Sequence, residues 1–323
     1  MTFLLFNSRK DAMEPKEIKT RVSFKNITWQ VIDGHKEATL KRLQKKHNFH
    51  ELDIEDCLST TQRPKIDEYD DYLFLVLHIP EFKGRGDRKR IVNSEVKIFV
   101  GNNFLVTLHN DNDMIAKILE KIKKKKDLKE EYMGFGTGYL LYMIIDDLFE
   151  SLFPVVDTLT NQVNELEQEV FSLEYTKDRL KDILLLKKDL INFRRIIMPQ
   201  RAVIAQLEHK NQKFLPEKLE VYFDDIVDKI EKIWNNIENL QELTTSVQES
   251  NESIISHNTN NIIKTLTILS VIMLPLTFIT GFYGMNIHGL WYAESTNSVW
   301  LVAGLIAFVA FAMILYFKMR KWM

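Results

Sequence analysis

Six residues near the C-terminus combine amide, hydroxyl and aliphatic side chains at helical spacing. They recur every three or four positions, and so share one face of a helix: Asn260, Ile263, Thr267, Ser270, Leu274 and Thr277. Rings of such oxygens could hold a cation through its bound waters, because Mg²⁺ gives up water reluctantly. Aliphatic rings from Ile263 and Leu266 could close the passage by excluding water. The alternative for Asn260, Thr267 and Thr277 is hydrogen bonding between helices of a simple anchor.

Two uncharged apolar runs position these residues. Segments 265–285 and 299–317 contain no Asp, Glu, Lys or Arg, and about 20 helical residues span a hydrocarbon layer of about 30 Å. We therefore predict two transmembrane helices joined by a loop at 286–298. A buried hairpin of a soluble protein is the alternative, and it would need both helices to be packed on all sides.

Basic residues predict the orientation of this hairpin. Lys264 precedes the first span and a basic tail, 318–323, follows the second. The tail carries Lys318, Arg320 and Lys321. Because the connecting loop contains no Lys or Arg, the positive-inside bias predicts a multi-pass protein of the plasma membrane with both termini in the cytoplasm.

Composition excludes several classes of function. The 323-residue chain has a formal net charge of -2, so it is not a general polyanion binder and no nucleic-acid partner is expected. Its one cysteine, Cys57, excludes an intramolecular disulfide and is typical of a reducing compartment. Segment 134–138 is rich in glycine but lacks the lysine of a phosphate loop. No nucleophile motif occurs either, so we do not expect an enzyme.

Residues 1–135 are predicted to form a cytoplasmic α/β domain. Short β-branched and aromatic runs between turn residues predict strands at Phe3–Phe6, Thr28–Ile32, Tyr72–Ile79, Val92–Val100 and Phe104–His109. Apolar periodicity predicts helices at His35–Asn48, Ile54–Ser59 and Asp113–Lys126. A turn at Gly84–Asp87 is expected to join two of the strands.

Residues 136–214 are predicted to form two long antiparallel helices. Apolar residues from Leu152 to Leu173 step by three and four, as in a coiled coil. A less regular stripe continues on a second helix through Leu180, Leu184, Leu190 or Ile191, and Ile197. We expect the break near Tyr175 and the end near Phe214.

A third helix is predicted to form a stalk, 215–264, that continues into the first span. No Pro or Gly occurs from Glu217 to Leu274, and about 65 helical residues reach about 100 Å. The apolar seam of the stalk becomes polar at Thr244, Asn251 and Asn258. We interpret this change as a hydrated passage toward the membrane. Polar residues that set the register of a coiled coil are the alternative.

The segment Pro275–Asn286 closely resembles the CorA family of magnesium channels, whose hallmark is Gly-Met-Asn after the first of two C-terminal spans. The triplet alone is weak evidence for this resemblance. The evidence is strong here because Pro-Leu-Thr-Phe precedes the triplet and the second span and the basic tail follow it. Further matches occur along nearly the whole chain, at Gln62–Tyr69, Tyr72–Leu77, Tyr139–Tyr142, Leu186–Leu190 and Tyr222–Asp225.

The resemblance implies a homopentameric funnel. Its rim would be the α/β domains, its stalk the long helices, and its pore lining the first span. If the spans form a pore, several copies must surround an axis, because the two spans of one chain cannot enclose a passage. Five copies rest on the resemblance. The expected partners are further copies of the chain, membrane lipid and divalent cations.

The resemblance also assigns roles to individual residues. Asn286 would form the outer ring that meets the hydrated ion, Gly284 and Met285 would shape its turn, and Tyr283 would brace it. The matching inward positions are Thr277, Leu274, Leu266, Ile263 and Asn260. Ile263 departs from the methionine that is frequent in the family but keeps its apolar character. Lys318, Arg320 and Lys321 resemble the basic collar of the family.

A regulatory cytoplasmic Mg²⁺ site is implied at the interfaces between subunits. Asp225 matches one of its acids, and Glu249 matches another with Glu in place of Asp. The partner of Asp225 aligns with Lys83, so that Glu81 or Asp87 would have to substitute. The outer loop is less acidic than in many relatives and keeps Glu294 as a cation attractor.

The sequence therefore predicts a channel for Mg²⁺ uptake, with Co²⁺ and Ni²⁺ as further ions and with no organic cofactor. A carrier of zinc or another divalent ion, with or without coupling to protons, is one alternative. Zinc-specific relatives often replace the methionine of the motif, so Met285 favours magnesium. A membrane-anchored coiled-coil scaffold is the alternative from another class, and it does not explain the motif.

Overall fold

The computed structural model describes residues 18–34, 36–59, 63–84, 86, 89–171, 179–209, 214–285, 298–320 and 322. The chain divides into two compact units, Met1–Val247 and Gln248–Met323. The predicted strand Phe3–Phe6 lies outside the described residues. The division of the chain into seven segments, with the boundaries given in the sequence analysis from 1–135 to 318–323, stays a prediction.

One six-stranded sheet organises the first unit. Its strands are β1 (Ile18–Phe24), β2 (Ile27–Asp33), β3 (Lys65–Glu68), β4 (Tyr72–Lys83), β5 (Arg90–Gly101) and β6 (Phe104–His109). They lie in the order β1-β2-β6-β5-β4-β3. β2 and β6 are parallel, and the other neighbours are antiparallel. The predictions for β2, β4, β5 and β6 are confirmed, and β6 has its predicted bounds.

Sequence patterns do not reveal β1 and β3. Both lie at the edges of the sheet that the described residues form, where within that sheet only one side of the strand is paired. Their sequences, IKTRVSF and KIDE, mix charged and apolar residues, and few of their side chains are buried. Their strand conformation is held by backbone pairing with β2 and β4 rather than by their own apolar content.

Alternating side chains of the central strands bury both faces of the sheet. On β4, Leu73, Leu75 and Leu77 belong to one buried cluster, whereas Phe74 and Val76 belong to the other. The smaller cluster is covered by helices α1 (Glu37–His47) and α2 (Glu51–Leu58), and the larger by the helices that follow β6. The first unit is thus a sheet between two helical layers.

The helices that follow β6 are α3 (Asp113–Lys124), α4 (Lys126–Met133), α5 (Thr137–Glu150), α6 (Phe153–Phe171) and α7 (Arg179–His209). The predicted helix Asp113–Lys126 is too long, because Lys125 is extended and separates α3 from α4. α2 begins earlier than predicted, since His50 caps it: its Nδ1 accepts from the Leu52 N–H at 3.2 Å.

α7 corrects the predicted stripe of the second long helix. Leu190 and Ile197 are buried as expected, but Leu180 and Leu184 are exposed. The residues that accompany Leu190 in the core are Ile183, Leu186 and Phe193. The reason is that α7 carries apolar residues on two faces, and only one of them meets the sheet of its own chain.

α8 runs without interruption over Glu220–Tyr283, a helix of 64 residues or about 96 Å. This confirms the predicted continuity from stalk to first apolar run, with Pro275 inside the helix. Within the first unit, Thr244 is buried and its hydroxyl donates to the Leu240 carbonyl at 2.7 Å. The interpretation of Thr244 as lining a hydrated passage is therefore wrong, because its own chain covers it.

His47 should make the stability of the first unit depend on pH. Its ring lies 4.1 Å from that of Phe104, and burial, with the charge of Lys46, lowers the pKa of His47 to about 4. The unfolded chain, with a histidine pKa of about 6.5, then binds more protons between those values, so stability falls as the pH falls from about 6.5 toward 4.

We expect urea unfolding of the detergent-purified protein, followed by fluorescence, to show a larger loss of stability between about pH 7.5 and about pH 5 for the wild type than for His47→Gln. The comparison concerns the pH slope, because the substitution also removes ring packing. Equal slopes for the two proteins would contradict the assignment to His47.

Candidate functional site

Among the residues that the structure describes, two helices are long and apolar enough to cross a membrane. They are α8, through its C-terminal part, and α9 (Ser298–Met319). Almost none of either apolar stretch is buried within the chain, 6% and 0% respectively. A core hairpin of a soluble protein would be buried, so this alternative does not fit the structure. The exposed apolar surface must be covered by lipid, by other copies of the chain, or by both.

One side of the C-terminal part of α8 is covered. Its half-buried and buried residues recur every three or four positions at Lys264, Ile268, Ile272, Pro275, Leu276, Ile279 and Tyr283. A matching row on α9 contains Val302, Ile306, Val309, Ala310, Met313 and Phe317. In the described part of the second unit these are the only two helices, and we infer from the matching rows that they face each other.

The sequence-predicted pore residues lie on the other side of α8. All of them are exposed: Asn260, Ile263, Leu266, Thr267, Ser270, Leu274 and Thr277. At 3.6 residues per turn, the centre of this set is rotated by roughly 150° from the covered row. The structure therefore brings the predicted residues together on one free face, where they can meet the same face of other copies.

The hydroxyl groups on this face are oriented by their own helix. Thr267 Oγ1 donates to the Ile263 carbonyl at 2.8 Å, and Thr277 Oγ1 donates to the Met273 carbonyl at 2.9 Å. Each hydroxyl has one hydrogen and two lone pairs. Because the hydrogen is used on the backbone, the oxygens offer acceptor lone pairs outward, which suits the water hydrogens of a hydrated cation.

The polar tip follows the C-terminus of α8. The Gly284 N–H donates to the Thr280 carbonyl at 2.9 Å, and the Met285 N–H donates to the Phe282 carbonyl at 3.4 Å. The carbonyl end of a helix carries partial negative charge and favours cations nearby. Asn286 and Glu294 lie outside the described residues, so their predicted roles stay predictions.

Gly284 occupies a position that a larger residue would strain. A Cβ built there would lie 2.9 Å from the Thr280 carbonyl oxygen, closer than real Cβ atoms come. By contrast, a Cβ on Gly281, one turn earlier, would meet nothing within 4 Å. The close approach explains a glycine at Gly284 on packing grounds alone.

At the far end of α9, Lys318 and Arg320 are exposed, in keeping with a basic collar. The Arg320 guanidinium lies 5.9 Å from the ring centroid of Tyr316, and Trp322 stacks on Phe317. Lys321, the third predicted collar residue, lies outside the described residues.

The predicted regulatory acid Asp225 already has a cationic partner. Lys229 Nζ lies 3.4 Å from Asp225, 2.6 Å from Asp146 and 3.4 Å from Glu150. Burial lowers the pKa of Lys229, but the hydrogen bond to Asp146 and the surrounding carboxylates outweigh it and raise that pKa overall. The ammonium therefore stays charged and shares the acids that a metal would need.

Glu81 and Lys83 belong to a different network. Glu81 accepts a hydrogen bond from Asn112 Nδ2 at 2.7 Å and lies 3.8 Å from Lys83 Nζ. Burial raises the pKa of Glu81, against the nearby Lys83 charge. Lys83 also donates to the Asp111 carbonyl at 2.7 Å. Asp87 lies outside the described residues, and Glu249 is exposed on α8.

Sequence reasoning missed Lys229, Asp146 and Glu150. The spacing of Asp225 and Lys229, four residues apart on one helix, could have indicated their ion pair. Asp146 and Glu150 lie on α5, about 80 positions earlier in the chain, and only tertiary packing brings them to Lys229.

Another acidic group, Asp53, Asp56 and Asp67, is close enough to hold an ion. Lys65 instead forms ion pairs with Asp56 and Asp67. Asp53 accepts from the Tyr69 and Tyr72 hydroxyls at 3.0 and 2.7 Å. These contacts already satisfy the carboxylates, so the group does not require a metal.

Comparisons with known proteins show which proteins this chain resembles. The family model of CorA-like Mg²⁺ transporter proteins matches residues 24–320. A Bacillus subtilis relative named YfjQ is 32% identical over 94% of this chain and 92% of its own length. The cobalt/magnesium transport protein CorA of Thermotoga maritima is 27% identical over 92% of this chain and 83% of its own.

A solved structure extends the likeness to three dimensions. The complete CorA magnesium transporter from Methanocaldococcus jannaschii superposes with a TM-score of 0.80 at 25% identity, and the match covers 94% of each chain. The expected fold class, with an α/β domain, a long stalk helix and two C-terminal apolar helices, is confirmed.

Gly284 and Gly281 provide a matched pair of substitutions for the tip. We expect Gly284→Ala to lower divalent-cation flux by about tenfold or more, because the added Cβ must displace the Thr280 carbonyl and with it the turn. Gly281→Ala should stay near the wild type. Flux into liposomes, with oligomer size measured on the same samples, tests this. Equal activity of the two variants would show that the close approach is unimportant.

Proposed function

The chain belongs to the family of CorA-like Mg²⁺ transporter proteins, and on that premise we propose that it is a channel through which hydrated Mg²⁺ enters the cell. Members of this family transport divalent cations and are not enzymes, so the cation is a substrate here. Beyond the transport of divalent cations, the proposal includes selectivity for Mg²⁺, the residues that line the pore and the regulatory site.

The observation that carries the proposal is the separation of two faces on α8. One face is covered by α9, and the opposite, exposed face carries Asn260, Thr267, Ser270 and Thr277. A simple anchor would have no need to keep these oxygens together and away from its packed side. Copies arranged as a homopentamer, a funnel in the plasma membrane, would bring the oxygen rings around one axis.

Aliphatic side chains on the same face provide a gate. Ile263, Leu266 and Leu274 are exposed between the polar positions. Repeated around an axis, they would form narrow apolar rings that empty of water and so block ions. At the outer end, Asn286 would receive the hydrated ion, with Tyr283, Gly284 and Met285 holding the turn and Glu294 attracting cations.

An inside-negative membrane potential would drive uptake without another energy source. Each elementary charge that crosses the membrane contributes about 2.3 kcal/mol per 100 mV. The entry of Mg²⁺, which carries two charges, is therefore favoured by about 4.6 kcal/mol per 100 mV. The basic residues Lys318, Arg320 and Lys321 would lie at the cytoplasmic end, with both termini in the cytoplasm.

We further propose that cytoplasmic Mg²⁺ closes the channel by binding acids at the interfaces between subunits. Asp225 and Glu249 are the candidates on α8, with Glu81 or Asp87 of a neighbouring copy as partner. Bound ions would neutralise facing carboxylates, and their loss would let repulsion loosen the ring. Lys229 adds competition, because its ammonium already lies 3.4 Å from Asp225.

Ion flux through the purified protein in liposomes tests the function. We expect Mg²⁺ to pass, with Co²⁺ and Ni²⁺ also tested, and Asn286→Ala to abolish passage while oligomer size is unchanged. Flux of Zn²⁺ alone that depends on a pH gradient would favour a proton-coupled zinc carrier. Assembled protein that passes no divalent ion would favour a scaffold, and full flux in Asn286→Ala would refute the role of Asn286.

Lys229→Gln tests the competition at Asp225. Removing the ammonium frees Asp225 and lowers local positive charge, so half-inhibition of flux should need roughly two- to fivefold less cytoplasmic Mg²⁺. Lys218→Gln, which removes an exposed lysine just before α8, is the matched control and should leave the inhibition curve in place. An unchanged or higher Mg²⁺ requirement in Lys229→Gln would show that Lys229 does not compete.

A further inference from the structure

The C-terminal tail of α9 is a folded turn that closes the helix. The Trp322 N–H donates to the Phe317 carbonyl at 3.0 Å. This bond spans six residues, as in the Schellman motif that ends many helices, and an apolar contact between its two end residues frequently accompanies that motif. Here Trp322 stacks on Phe317 with ring centroids 5.9 Å apart. The tail therefore has a defined position at the helix end.

This turn places an indole ring where α9 leaves its apolar stretch. Phe317 is buried, at 7% exposure, whereas Trp322 is 48% exposed. Stacking on a buried ring holds the indole beside the helix and leaves about half of it accessible. A half-exposed Trp at the end of an apolar helix is typical of the boundary between the hydrocarbon layer and water.

Two cations accompany the ring and have no acid on their own helix. Lys318 and Arg320 are exposed, and the chain contains no Asp or Glu from Ser298 to Met323. The Arg320 guanidinium lies 5.9 Å from the centroid of the Tyr316 ring. This contact holds the charge beside the helix rather than extended into water. The counter-charge of the pair must therefore come from outside α9.

Lys318 lies on the side of α9 that faces away from α8. The covered row of α9, from Val302 to Phe317, marks the side that meets α8. At 3.6 residues per turn, Lys318 is rotated by roughly 130° from the centre of that row. In the proposed membrane orientation, this side meets the headgroups of the cytoplasmic leaflet. The anionic lipids of that leaflet attract Lys and Arg residues placed just cytoplasmic of a span.

We propose that Phe317, Lys318, Arg320 and Trp322 form a binding site for an anionic phospholipid of the cytoplasmic leaflet. Lys318 and Arg320 bind the charged headgroup, and Trp322 packs against the glycerol and the upper acyl chains. An anionic lipid is favoured over a zwitterionic one, because a zwitterionic headgroup carries its own counter-charge. The inference rests on the proposed function only in placing this end of α9 at the cytoplasmic side of the membrane.

Quenching of tryptophan fluorescence by brominated lipids tests the site on the full-length protein in liposomes. All samples contain an equimolar mixture of phosphatidylglycerol and phosphatidylcholine, and one of the two lipids carries bromine on its acyl chains. The difference between the wild type and Trp322→Phe isolates the quenching of Trp322. We expect brominated phosphatidylglycerol to quench Trp322 more strongly than brominated phosphatidylcholine does. Equal quenching by the two lipids would overturn the proposal.

Trp300 is the internal control, because it lies at the opposite end of α9 and is 79% exposed. No Lys or Arg occurs between Trp300 and Lys318, or in the preceding loop 286–298. The difference between the wild type and Trp300→Phe should therefore show no preference for phosphatidylglycerol. An equal preference at both ends would mean a general enrichment of anionic lipid around the protein, and it would refute a site at the tail.

Two double variants, each measured with and without Trp322→Phe, test the role of the charges. Lys318→Gln with Arg320→Gln should lower the preference of Trp322 for phosphatidylglycerol by at least about tenfold, because each basic residue near the membrane surface contributes about fivefold. Lys123→Gln with Lys124→Gln removes the same charge from exposed lysines on α3 and should leave the preference unchanged. Loss of the preference in both double variants, or in neither, would contradict the assignment to the tail.

Ion flux measured in the same liposomes separates this site from the proposed channel. Flux without a lipid preference at Trp322 overturns the lipid site and leaves the channel standing. A preference without flux supports the site and overturns the channel. If neither lipid quenches Trp322 in a verified oligomer, the tail is covered by another copy or lies away from the membrane, and the lipid site is refuted in either case.

Discussion

Polar groups inside a hydrocarbon layer must satisfy their hydrogen bonds without water, and the two helices proposed to span the membrane meet this constraint. An unbroken helix satisfies its backbone internally, which α8 does over 64 residues despite Pro275. The same requirement directs the Thr267 and Thr277 hydroxyl hydrogens to backbone carbonyls of their own helix. The lone pairs of these hydroxyl oxygens remain available on an exposed face of α8. In the proposed function they accept hydrogen bonds from the water molecules of a hydrated cation.

In the first unit, two clusters of carboxylates each surround an ammonium group of the chain. Lys229 sits among Asp146, Glu150 and Asp225, and Lys65 sits between Asp56 and Asp67. A tethered ammonium neutralises nearby acids without the loss of freedom that binding a separate ion entails. In the proposed mechanism, a regulatory metal must therefore compete with cations that the chain itself supplies.

Much of the fold could be predicted from the sequence where apolar residues dominate. The sequence pattern predicts the buried strands β4, β5 and β6 and the unbroken helix α8, because the spacing of apolar residues in these elements directly reflects which side chains are buried. The edge strands β1 and β3 could not be found, since their conformation comes from a neighbour's backbone. The single stripe predicted on the second long helix, with Leu180, Leu184, Leu190 or Ile191, and Ile197, is divided between two faces in the structure. A helix with two apolar faces does not reveal from its sequence which face its own core takes.

The sequence by itself determined the two apolar helices, the helical spacing of the oxygen-bearing residues and the motif at the tip, because these depend only on local composition and period. Tertiary structure alone decided which side of α8 is covered by α9 and therefore which side is free. It also decided that Asp146 and Glu150 meet Lys229, and that α7 turns one apolar face outward. These outcomes depend on contacts between residues distant in the chain, which no local pattern encodes.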